Sequence, residues 1–158
     1  MRTRLAKILL VGILIGLFIG AGTAGAETAP APRKATVNSD ARTQMQQATN
    51  RSRLDHGVHR VWLNAKLSQL ALRHSLAMAA ADSLFHTSDP AAYYLKGIKW
   101  RVWGENVGVT GAGVPQMESA FMASAPHRAN ILRPSFLHSA VGAVRSGGKL
   151  WVTVFFYG

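Results

Sequence analysis

The chain has no cysteine. That excludes disulfides, a thiolate metal site and a cysteine nucleophile. Acidic residues are scarce: seven Asp and Glu stand against eighteen Lys and Arg, for a formal net charge of +11. The basic residues are scattered, and no run of five or six like charges marks a nucleic-acid stripe. A solvated basic surface with no nucleic-acid partner is the expectation. The longest apolar run, Ile8–Gly20, is too short and too rich in glycine for a comfortable membrane-spanning helix. No cysteine follows it, which also excludes a lipoprotein anchor.

That run instead resembles the core of a secretory leader. Arg2, Arg4 and Lys7 precede it, and Ala24 and Ala26 fit the small-x-small cleavage rule. Residues 1–26 are therefore expected to be a signal peptide, cut before Glu27, with an uncleaved anchor as the competing reading. Removing the three basic residues of the leader leaves fifteen basic against seven acidic residues, a net charge of +8. A basic exported protein adheres to anionic wall polymers or acidic lipid through simple electrostatics. An exported chain without cysteine points to bacteria rather than to disulfide-rich animal secretions. The four Trp, six Phe and three Tyr are available to build a core in place of disulfides, and all four Trp are expected there.

Along the chain, residues 27–38 read as a flexible Pro/Ala linker. Ser39 or Asp40 can cap a helix running to about His56, with Gly57 as its stop. Asn64 or Ser68 precedes a second helix, in which Leu67, Leu70, Ala71, His74, Met78 and Ala79 recur at helical spacing; it should end near Asp82–Leu84. Residues 87–99 read as a loop broken by Asp89-Pro90. Residues 98–110 shift toward strand, with Gly104 interrupting. Pro115 suits the first turn of a helix over 116–123, and a helical turn follows over 127–132. Residues 140–145 and 150–156 flank Ser146-Gly-Gly-Lys149 as a hairpin. Helices first and a small antiparallel sheet last make an α+β chain.

Several segments, taken in order, resemble the CAP superfamily (the SCP-like domains of cysteine-rich secretory proteins, antigen 5 and pathogenesis-related 1), in its short cysteine-free bacterial branch. They are Asn50-x-x-Arg53-x-x-x-Gly57-Val58; Leu67-x-x-Leu70-Ala71-x-x-His74-Ser75-x-x-Met78-Ala79; Leu84-Phe-His86-Thr87; Gly104-Glu105-Asn106-Val107; and Phe121-x-x-Ser124-x-x-His127-Arg128-x-Asn130-Ile-Leu132. Val141-Gly142 and the final Trp-Val-Thr strand complete the order, so the resemblance covers residues 39–158. It implies an α-β-α sandwich, with a small central antiparallel sheet flanked by helices. It also implies a cleft where His86, Glu105 and His127 converge, with Ser124 at the position where animal and plant members carry a second Glu. Phe121 stands where Trp is commoner.

Two imidazoles, His86 and His127, can hold a divalent ion such as Zn²⁺ weakly, with water in the open positions. Glu105 can orient one of them or, if the site is catalytic at all, act as the base. Ser124 and His127 lie on one helical face, so Ser-His-Glu chemistry is conceivable; yet no nucleophile elbow surrounds Ser124. Glu118 sits about 120° around a helix from Ser124 and reads as a solvated charge. His56 and His59 are expected on the surface, and His74 is expected to be a packed histidine with one hydrogen bond. His138 has no assigned role. The leading expectation is a monomeric, secreted or wall-associated, non-enzymatic binding module. The alternative is a metal-dependent, peptidase-like hydrolase using His86, His127 and Glu105. A purely structural envelope protein is the third.

Overall fold

The computed structural model describes residues 34–158. The expected signal peptide and most of the expected linker lie outside them. The elements, in order, are β1 (Thr36–Val37), α1 (Ser39–Asp55), β2 (Trp62–Leu63), α2 (Ala65–Ala81), α3 (Pro90–Tyr94), β3 (Trp103–Thr110), α4 (Val114–Ala123), α5 (Ala125–Ile131), β4 (His138–Ser146) and β5 (Lys149–Tyr157). The sheet runs β1-β4-β5-β3, antiparallel along that path, and β2 pairs in parallel with the start of β4. The two short strands cover the two ends of the outer edge of β4. This limits the exposed edge that could pair with another chain.

The sandwich follows from the period-two alternation of β5. Leu150, Val152, Val154 and Phe156 belong to one core with Met45 of α1, Met117 and Phe121 of α4, and Ile131 of α5. Trp151, Phe155 and Tyr157 join the cores on the opposite side, with Leu67, Ala71 and Met78 of α2 and Tyr94 of α3. Buried on both faces, β5 has the near-continuous apolar sequence of a central strand. Contact between α2 and β4 is so close that a Cβ at Gly142 would overlap the Ala71 backbone. Ser75 crosses the same seam, with its Oγ 3.2 Å from the Gly142 carbonyl and 2.9 Å from Thr153 Oγ1.

Arg53 locks the other layer. It is fully buried with no carboxylate partner; its guanidinium donates to the carbonyls of His59, Ile131, Arg133 and Phe136 at 2.6–3.1 Å. Burial pulls its pKa below the ordinary 12.5.

Several local expectations are corrected. The end of the expected linker is strand β1, and the cap of α1 is Asn38 rather than Ser39 or Asp40, its Oδ1 accepting from Ala41 N at 2.8 Å. Asn64 caps α2. This helix stops at Ala81, where Asp82 takes the left-handed conformation (φ 45°), earlier than the end proposed at 82–84. Asp89-Pro90, read as a breaker, starts α3: Asp89 accepts from Ala92 N, and Pro90 occupies the first turn, where its missing N–H costs nothing. Gly104 lies inside β3 rather than interrupting it. Of the four Trp, Trp151 is buried, whereas Trp62, Trp100 and Trp103 are 72%, 41% and 38% exposed.

Candidate functional site

The expected site gathers at β3, the edge strand, and the Gly-Glu-Asn motif accounts for its construction. Residues 105 and 106 point to opposite faces of the sheet, so each can fasten a different segment. Glu105 holds the segment after α2: its carboxylate accepts from His86 Nδ1 (2.9 Å), Thr87 N (2.9 Å) and Thr87 Oγ1 (2.7 Å). Asn106 holds α5 by donating to the His127 carbonyl at 3.0 Å. Asn130 returns from α5, donating to Asn106 Oδ1 at 2.9 Å and to the Glu105 carbonyl at 3.2 Å. Gly104 makes this return possible, since a Cβ there would come within 2.6 Å of Asn130 Oδ1. The Gly-Glu-Asn and His-Arg-x-Asn signatures are therefore two halves of one hydrogen-bonded joint.

The two histidines differ in setting. The His86 side chain is 58% exposed above a Glu105 side chain that is 1% exposed. His86 lies in the segment beyond α2, outside any helix. That segment is fixed from behind by His74, whose Nε2–H donates to the Phe85 carbonyl at 2.9 Å and whose ring meets the Phe85 ring edge-on. His74 is thus the packed histidine with one hydrogen bond that was expected, and it also positions the neighbour of His86. His127 is half-buried on α5, with Nδ1 2.9 Å from Ser124 Oγ and its ring against Phe121. Desolvation, and then the nearby His86, hold the His127 pKa below the ordinary 6.5. Tyr94 lies under the site. Burial and then the Glu105 charge raise its hydroxyl pKa.

The pairings decide between chemistries. A serine relay needs its carboxylate on the same histidine as the serine. Here Glu105 is on His86 and Ser124 is on His127, so no Ser-His-Glu chain forms. Ser124 ends α4 and begins α5. Among the described residues no group of three or more His, Asp or Glu side chains is placed to hold a metal. What fits an ion is narrower: His86, whose Nδ1–H rests on a carboxylate and whose Nε2 is left without a protein partner, and His127 beside it.

Glu118 is corrected. It is 7% exposed, wedged between α4 and α1, and accepts from Ser52 Oγ at 2.6 Å and Thr49 Oγ1 at 3.2 Å. Burial raises its pKa above the ordinary 4.5 despite those bonds. Its angular distance from Ser124 said nothing about the α1 face it does occupy. His56 and His59 are exposed as expected, and His138 stacks on Tyr157. Arg53 and Asn106 were not assigned their roles from the sequence, because the carbonyls they meet belong to backbone and carry no sequence signal.

Fold and site together define a cysteine-free CAP-type sandwich with an exposed histidine, His86, held over a buried glutamate. The chain belongs to the cysteine-rich secretory protein (CAP) family, whose sequence model matches residues 46–156. It is 30% identical over 112 residues to the uncharacterized protein YkwD of Bacillus subtilis, a match covering 68% of this chain and 43% of that protein. Among solved structures it is similar to an SCP-domain extracellular protein from Bacillus anthracis (TM-score 0.65, 20% identity, 74% of this chain and 40% of that one). It is also similar to an outer surface protein from Borrelia burgdorferi (TM-score 0.71, 11% identity, 79% and 97%). A cysteine-rich secretory protein from Staphylococcus aureus gives a TM-score of 0.64 at 20% identity, over 76% and 39%. The chain thus spans less than half the length of YkwD and of the Bacillus anthracis protein. No helix among the described residues is long and apolar enough to cross a membrane.

Proposed function

We propose that the chain is an exported, non-catalytic binding module. Its His86–His127 pair takes a divalent ion weakly, and its basic surface meets an anionic wall polymer or acidic lipid. The observation that carries the non-catalytic reading is the state of Glu105. A general base must reach the proton it takes; this carboxylate is buried and accepts three hydrogen bonds from His86 and Thr87, so it serves as an anchor. The same bond supports reversible ion binding: with Nδ1–H on Glu105, the Nε2 lone pair of neutral His86 is free for a cation. Such an ion would supply Lewis acidity, and the chain's part is to orient His86 and to keep His127 neutral by partial burial. Export is supported by the leader-like sequence and by relatives described as extracellular or outer surface proteins.

Thermal shift of metal-free protein against a panel including Zn²⁺ tests the ion site. Zn²⁺ should raise the Tm of the wild type and not that of the His86→Ala, His127→Ala double variant; no shift in the wild type rejects the site. Peptide and ester libraries, with and without Zn²⁺, test the non-catalytic reading. Zn²⁺-dependent turnover that disappears in Glu105→Gln would establish the hydrolase alternative instead.

A further inference from the structure

The cavity of about 430 Å³ between α2 and α3 is lined by none of His86, Glu105 and His127, although its floor residue Tyr94 also lies under that site. One wall is a stripe of α2: Lys66, Gln69, Leu70 and Arg73 recur at helical i, i+3, i+4 and i+7 spacing. The facing wall is α3 and the turn after it, with Tyr93, Lys96 and Gly97, the last at φ +77°. The floor is core: Leu67 and Tyr94 are almost wholly buried. No acidic residue lines the cavity, and among the described residues Lys66, Arg73 and Lys96 make no ion pair. Three uncompensated cations around one concavity repel one another, so the position favours an anion. Its volume falls in the range of small-ligand sites.

We propose that this pocket is a binding site for an anionic sugar, a glycan whose rings carry carboxylate or phosphate groups. The cations take the acid groups. Tyr93, 39% exposed, offers aromatic surface to a sugar ring, and the amide of Gln69 supplies a donor and an acceptor for hydroxyls. The inference rests on the reading of the basic surface as the side that meets an anionic polymer, and it gives that encounter a location.

The test measures binding of the Pro32–Gly158 unit, which holds its own cores, to four probes across a salt series. The probes are a uronic-acid oligosaccharide, a phosphorylated mannan oligosaccharide, a neutral chito-oligosaccharide, and vesicles of anionic phospholipid. The first two separate carboxylate from phosphate as the acid group. Arg73→Glu and Lys96→Glu should each weaken binding to the preferred anionic glycan about tenfold or more. Arg145→Glu, an equal change of charge at the exposed position of β4, should leave it within about twofold. Equal losses in all three variants would overturn the pocket while leaving diffuse adhesion standing. Preference for vesicles over both glycans would overturn the ligand class. No binding to any anionic probe at low salt would overturn the pocket and the parent reading together.

Discussion

Single side chains at the centre of the molecule carry large, separable penalties. Arg53 satisfies four carbonyls in a place water does not reach. Arg53→Met should cost at least about 3 kcal/mol in urea unfolding, because it strands buried acceptors rather than merely removing a charge. Glu118 should act in the opposite sense. Its folded pKa is raised, so the folded state holds its proton more tightly than the unfolded chain, and stability falls as pH rises through that window above the ordinary 4.5. Glu118→Gln should therefore flatten that decline and leave the protein at least as stable at pH 7 as the wild type, measured as Tm against pH. His127 has a lowered folded pKa, so its contribution is present above the ordinary 6.5 and is lost as pH falls below it. His127→Gln should remove that acidic loss from the same pH series. The histidines and Glu105 were legible from the sequence because the motifs surrounding them are. The burial of Glu118 was not, since the hydroxyls that receive it lie sixty-six and sixty-nine residues away.

At the scale of elements, the joint between β3 and α5 is the part on which the site depends. Asn130→Ala would free Asn106 Oδ1 and the Glu105 carbonyl of their partner. The expected loss is about 1–3 kcal/mol, with heightened amide hydrogen exchange over 125–131 while β4 and β5 stay protected. Loss of protection across the whole sheet would mean that α5 is not a separate unit. Long periodic elements were readable: α2 from its apolar stripe, β4 and β5 from their hairpin. The two-residue strands β1 and β2 were not, because two residues display no period. Helix α3 was missed because proline ends a helix in one position and begins one in another, and the Asp89 cap before Pro90 decides which.

For the whole molecule, the order of layers, a central antiparallel sheet with helices on both sides, followed from the family resemblance, and the structure agrees with it. Surface quality did not follow, because aromatic residues were assigned to the core by type. Trp62 and Trp103 nonetheless occupy one row across the end of the sheet, through the pairs Trp62–His138, His138–Tyr157 and Tyr157–Trp103.

The central place of β5 has a consequence in time. It follows every other described element in sequence, yet both helical layers close upon it. While the chain is threaded or synthesised from its N-terminus, α1, α2 and α4 have only one another and an unfinished sheet to set their apolar faces against. The core therefore closes late, and a chain halted before Lys149 should be cut by protease far faster than the finished domain.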